Sequence, residues 1–244
     1  MIKFEKPQYK VTEYEETSNY GKFELEPLEK GFGLTLGNAL RRVMLSSLPG
    51  SAITSVKING VVHEFSTVPG VVEDVPELIV NLKNVRLKVF DNEEKIIRID
   101  FKGAGEVTAA DIIHSNEIEV INPEQHIATV SAGGNLHMFL TVRRGVGYVS
   151  SAANKEYNQS VGVISIDSIY TPIRNVKYAV EPYRVEQKTD YDKLVLEVTT
   201  DGSIHPKEAR KEAAKILIYH FMLFSDEKIT LEGTDVDGNQ EFDE

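Results

Sequence analysis

The chain holds 244 residues, with 27 Lys+Arg against 38 Asp+Glu and a formal net charge of −11. Its 41% hydrophobic content suffices to bury a core, which excludes a disordered or fibrous chain, and its length suits one large domain or two small ones. Cysteine is absent, which excludes a disulfide framework, a Cys-ligated zinc site, an iron–sulfur cluster and a thiol nucleophile, while the acidic balance disfavours coating of duplex nucleic acid, where Lys and Arg must replace counterions at phosphates.

The first residues, MIKFEKPQYKVTEYEE, mix charges with apolar residues and offer no continuous apolar region, so no secretory signal is expected. Strands are expected at 9–14, 22–26, 53–58, 61–65, 85–90, 95–101, 117–121, 127–130, 136–142, 161–166, 176–180 and 194–199. Each is short, β-branched or aromatic, and bounded by Gly, Asn, Asp or Pro. Asn59-Gly60, Gly133-Gly134 and Asp201-Gly202 mark turns. Strands and helices do not alternate, so the pattern points to an α+β fold with antiparallel sheets.

Three helices interrupt the strands. The first is expected at 35–47, within KGFGLTLGNALRRVMLSSLPG. At about 100° per residue, Leu36, Leu40, Val43 and Ser47 share one face, while Leu34, Leu45 and Leu48 share the opposite one beside Asn38, Arg41 and Arg42. Two apolar sides fit either a helix with one face for its own fold and one for a partner, or a helix sandwiched in its own core. The second helix is expected at 76–84, with Asp74 as cap, Pro76 in the first turn, and Leu78, Ile79 and Leu82 directed at a sheet. The third starts near His205-Pro206 and reads HPKEARKEAAKILIYHFMLF. Its first half is amphipathic, and from Ile216 onward it is apolar all round. A second copy covers such a rod more readily than the chain itself, so homodimerisation is the leading inference and a deep core helix the alternative. The apolar run 216–224 falls far short of the ~20 residues that span a bilayer, and no membrane segment is expected. The stretch DEKITLEGTDVDGNQEFDE that follows is acidic and reads as a tail or the start of a linker.

Chemistry-bearing motifs are sparse. Gly31, Gly33 and Gly37 imitate a dinucleotide loop, but the last gap is one residue too long; a nucleotide-dependent enzyme using the Gly31–Gly37 loop is kept as the alternative function. Otherwise these glycines serve a turn and a close helix contact. There is no phosphate-binding GxxxxGK[ST] motif, no GxSxG elbow, and no metal-ligand spacing among the six histidines. HEFST at His63 lacks the second histidine of a zinc peptidase, and Asp235-Val-Asp237-Gly238 lacks ligand positions of a calcium loop. Glu73-Asp74 reads as a solvated loop, and His126 as a surface or satisfied sheet residue. Arg143 and Arg144 read as a hairpin's solvated end, or, in a third reading, as a clamp on nucleic acid. No catalytic residue, metal or cofactor is expected.

Three stretches, LEPLEKGFGLTLGNALRRVMLSSLPG, HEFSTVPGVVEDVPELIVNLK and SIYTPIRNVKYAVEPYRVEQKTDYDKLVLEVTTDGSIHPKEA, carry a resemblance across about 1–231. Together they resemble the N-terminal assembly and dimerisation region of the bacterial DNA-directed RNA polymerase alpha subunit. The resemblance implies a discontinuous dimerisation lobe, 1–49 with 171–231, built as an antiparallel sheet with two long helices. It further implies an inserted mainly-β lobe at 50–170, with 232–244 as an acidic tail or the start of a linker. The implied role is a non-catalytic homodimeric scaffold that nucleates assembly by binding the beta and beta prime subunits in transcription. The implied location is cytoplasmic, nucleoid-associated as part of the polymerase, with no direct nucleic acid contact from this chain. No metal is implied, because the family's polymerising metal site lies in beta prime.

Carried over by residue, the implied beta contacts are Arg42, Leu45, Leu48, Glu64, Ser66, Thr67, Asp74 and Glu77. Those to beta prime are Lys83, Ile166 and Arg184. The implied dimer residues are Phe32, Leu36, Leu40, Ile216, Leu217, His220, Phe221 and Phe224. Two departures stand out. His205 occupies a position where relatives often have an acidic cap, leaving the helix start less well satisfied. The family continues through a linker into a small C-terminal DNA-binding domain, and this chain ends in what resembles that linker, so it is expected to lack those contacts.

Overall fold

A computed structural model of the chain describes residues 8–15, 19–157, 160–185 and 188–224. The acidic stretch at 232–244, with Asp235–Gly238 in it, lies outside them. The fold is α+β, and every strand pairing among the described residues is antiparallel. Four α-helices are described: α1 (Phe32–Ser47), α2 (Val75–Lys83), α3 (Ser151–Tyr157) and α4 (Pro206–Met222). Among the described residues, no helix is long and apolar enough to cross a membrane.

One four-stranded sheet has the order Gln8–Glu15, Tyr20–Glu29, Lys188–Thr200, Ile173–Val185. Register pairs Val176 with Val198 and Tyr178 with Leu196, so alternate side chains share the face that α1 covers. Phe23, Val176, Leu196 and Val198 from the sheet, Met44 from α1, and Ala209 and Ala213 from α4 form one buried cluster. Small residues let α1 lie close. A Cβ on Gly33 would stand 2.8 Å from Val180 Cγ1, and one on Gly37 would stand 2.6 Å from Tyr178 Cδ2.

The larger sheet runs Ile112–Ile113, Lys95–Lys102, Asn135–Val146, Pro49–Ile58, Leu87–Val89, Ile118–Val120, with Ile164–Ser165 also paired to Pro49–Ile58. Its inner face and α2 build a second cluster that draws only on residues between Ile53 and Ile166. The chain leaves the first sheet and returns to it at one place, where a Cβ on Gly50 would fall 1.8 Å from the Tyr170 carbonyl oxygen. Arg86 ties the two sheets there: its Nη1 lies 3.3 Å from Asp201 Oδ2, beyond the end of Lys188–Thr200.

α2 forms as its sequence predicts. Asp74 Oδ1 accepts from the Glu77 amide at 2.9 Å, Pro76 occupies the first turn, and Leu78 and Leu82 are buried. Other expectations fail. The 61–65 segment is not a strand: Val61 turns into the core while Val62 and Phe65 face solvent, and among the described residues no strand pairs with it. Asn59-Gly60 therefore ends a strand without making a hairpin. The strand expected at 161–166 shrinks to Ile164–Ser165. α3 carries no apolar stripe to announce it; what holds it is buried Asn154, whose Nδ2 donates to the Ile166 carbonyl at 2.7 Å and to Ser168 Oγ at 2.9 Å. Replacing Gly37 by alanine should lower unfolding free energy by about 1–3 kcal/mol, because overpacking against Tyr178 outweighs the helix-propensity gain. Urea melts of the two chains read this directly.

Candidate protein-docking surfaces

The glycine-rich stretch does not form a nucleotide loop. α1 starts at Phe32, with Gly31 before it at φ 92°, and Gly33 and Gly37 lie inside the helix on its buried side. Asp192, on the neighbouring strand, accepts from the Gly31 amide at 2.8 Å and the Gly33 amide at 3.2 Å through one oxygen, Oδ2. A carboxylate thus fills the place where a helix N-terminus would hold a phosphate. The third reading also weakens: Arg143 is paired with Glu94, and Arg144 Nη1 donates to Asn92 Oδ1 at 3.0 Å.

α1 and α4 carry the apolar surface that remains. On α1, Phe32 and Leu34 are exposed, Leu45 and Arg42 face solvent, and Leu36 is half-buried. Leu48 corrects the helical-wheel reading: it is 0% exposed. The helix ends at Ser47 and Leu48 takes extended backbone, so the 100° period no longer places it, and it drops into the chain's own core. Leu48 is therefore not available as a beta contact on the outer face. Leu40 and Ile216 pack in part on the chain's own cluster, and Leu217 is half-buried. Beyond them α4 is bare. His220, Phe221 and Phe224 are exposed, the last at 89%, and so are Ile218, Tyr219, Met222 and Leu223, which residue carry-over had missed and the all-round apolar run had signalled. His205 supplies no side-chain cap, yet α4 starts next to it at Pro206.

The segment between Ile58 and α2 is irregular but anchored. Thr67 bridges Asp74, Val75 N donates to Ser66 O at 3.1 Å, and Val72 N donates to Thr129 O at 2.9 Å. Glu64, Thr67, Asp74 and Glu77 are exposed and Ser66 is half-buried, its hydroxyl 3.0 Å from His63 Nδ1. Phe65, 81% exposed, is the largest of the exposed apolar residues here, with Val62 and Val72, that sequence reasoning passed over. Glu73 is no solvated carboxylate: it is 7% exposed. Its Oε2 accepts from the Thr129 amide at 2.7 Å, and its Oε1 from Thr129 Oγ1 and His126 Nε2, both at 3.0 Å. His126 Nδ1 reaches Glu106 Oε1 at 2.8 Å. Burial alone raises the Glu73 carboxyl, but the Thr129 and His126 hydrogen bonds outweigh it and hold the group below its ordinary value. The Glu73 and Glu106 carboxylates raise His126.

Of the residues carried over for beta prime, Lys83 is exposed and its Nζ meets Asp167 Oδ2 at 3.0 Å. The Ser151 amide, then Lys83, hold Asp167 below the usual carboxylate range. Ile166 is a correction: at 2% exposed it belongs to the core, its amide donating to the Thr54 carbonyl at 2.9 Å just past the two-residue strand Ile164–Ser165. Arg184 is exposed on Ile173–Val185, in the other sheet.

Residues 56–171 match the RNA polymerase Rpb3/RpoA insert domain. The chain is 60% identical over 247 residues to a DNA-directed RNA polymerase subunit alpha of Bacteroides fragilis, covering 100% of this chain and 74% of that protein. It is 56% identical over 224 residues to one of Desulforamulus reducens, covering 92% and 71%. The chain belongs to the bacterial RNA polymerase alpha-subunit family. Within this family frame, the glycines of the first helix are packing residues, and Asp192 is the group that fixes the helix start. Asp192→Ala should cost about 1 kcal/mol in a thermal melt, the usual scale for a lost cap. Calorimetric titration of the unaltered chain with NAD or ATP should show no saturable heat.

Proposed function

We propose that the chain is a non-catalytic, homodimeric assembly subunit of DNA-dependent RNA polymerase, working in the cytoplasm as part of the nucleoid-associated enzyme. Residues 1–49 with 171–231 make the dimerisation lobe and 50–170 the inserted lobe. The observation that carries this reading is the second half of α4. Ile218, Tyr219, Phe221 and Met222, with Leu223 and Phe224 just past the helix end, stand in solvent in a single copy, although burial of one such side chain is worth about 1.5–3 kcal/mol. An equivalent helix in a second copy is the self-complementary cover, as two-fold symmetry requires. Phe32 and Leu36 of α1 extend the same interface.

Arg42 and Leu45 suit a second partner. A rigid guanidinium fork beside an apolar side chain is the composition of an interface anchor, and both are exposed on α1. With Glu64, Ser66, Thr67, Asp74 and Glu77 they form our assignment for beta, while Lys83 and Arg184 are assigned to beta prime. The two copies are chemically identical, so assembly alone decides which one meets which large subunit. Co-purification of the full chain with beta and beta prime tests this. Arg42→Ala should reduce recovery of beta about tenfold or more, the scale of an interface anchor, and leave the dimer intact. A variant that captures beta as the parent does would remove Arg42 from the assignment.

A further inference from the structure

Glu73, His126 and Glu106 come from three separate places: the segment ahead of α2, the strand His126–Val130, and its partner strand Gly105–Thr108. Their hydrogen bonds run in line, carboxylate to imidazole to carboxylate, at 3.0 and 2.8 Å. Both ring nitrogens face carboxylate oxygens, an arrangement only the doubly protonated ring satisfies. These three are not carried over from the family resemblance and belong to none of the contacts assigned above. We propose that Glu73, His126 and Glu106 are positioning residues, a clasp that holds the segment 62–74 against the sheet and so sets Phe65, Thr67 and Asp74 in the shape that meets the large subunit. This rests on the assignment of that segment to beta.

The clasp acts through backbone. With Glu73 drawn in beside Thr129, the adjoining amides of Val72 and Val75 make their bonds to Thr129 O and Ser66 O, and Asp74 stands at the cap of α2. Neighbouring polar groups among the described residues are engaged elsewhere. Asn81 of α2 donates to the Ile127 carbonyl, and Asp111 is engaged by the Thr108 amide and hydroxyl, which leaves Glu73 and Glu106 as the charges facing His126.

The pH signature has two limbs. Glu73, held below its ordinary 4.5, contributes above that value and loses its contribution as pH falls through the lowered one. His126, raised above 6.5, contributes fully below 6.5 and loses its contribution as pH rises through the raised value. Segment 62–74 is therefore held most tightly between about pH 4.5 and 6.5, and loosens on the alkaline side as one ring proton leaves.

Amide hydrogen exchange of the full chain, corrected for intrinsic rates, tests the clasp at Val72 and Val75. His126→Gln should speed exchange there about tenfold, as expected for losing a hydrogen bond between charged groups, and should abolish the alkaline rise in exchange. Glu106→Gln, at an exposed site that does not threaten folding, should move the alkaline limb to lower pH. Beta capture by His126→Gln should fall several-fold. Unchanged exchange and an unchanged alkaline limb in both variants would overturn the clasp. Failure of the parent chain to capture beta would instead overturn the docking assignment on which the clasp's purpose rests, while the exchange data would still decide whether the three residues hold the segment.

Discussion

A helix that is apolar on every side cannot be satisfied by one sheet. α4 buries Ala209 and Ala213 against α1 and the four-stranded sheet, and these small residues bring its first half close. The same seating leaves its second half extending past the cover the chain offers, with Ile218, Tyr219 and Phe221 in water. The proposed dimer follows from that imbalance. α1 has the complementary construction: glycines on its inner side reduce the distance to the sheet, so Arg42 and Leu45 are presented on a helix held rigidly from beneath. Positioning a docking side chain on a helix fixed in this way keeps the entropic cost of binding low.

The larger sheet serves a different purpose. Its core closes on itself with residues from Ile53 to Ile166, and the Gly50–Tyr170 contact and the Arg86–Asp201 pair hold it against the first sheet. What it offers outward is loop, not helix. Segment 62–74 has little regular structure, yet its backbone and Glu73 are tied to the strand His126–Val130 at several points. An irregular segment becomes a defined surface only when such ties outweigh its conformational freedom.

Local signals in the sequence placed most of what is local. Asp74 and Pro76 announced α2, the all-round apolar run announced the exposed rod of α4, and the β-branched segments between turns gave antiparallel strands. Contacts between distant residues were illegible. The first turn of α1 depends on Asp192, 161 residues from Gly31, and the clasp joins Glu73 to a histidine 53 residues away. Leu48 was misplaced because a helix that stops at Ser47 gives a side-chain direction the helical period does not cover, whereas Ile166, carried over from the resemblance, sits in the core just past the strand Ile164–Ser165. Val61–Val62 looked like strand because β propensity reports fit to a pleated surface, and here no neighbouring strand supplies one.

The central claim is that one copy leaves apolar helix surface which a second copy must hide. Sedimentation equilibrium of the full chain across a wide concentration range measures this most directly. A species of twice the chain mass, persisting on dilution, is the expected result; a stably folded single copy at high concentration would contradict it.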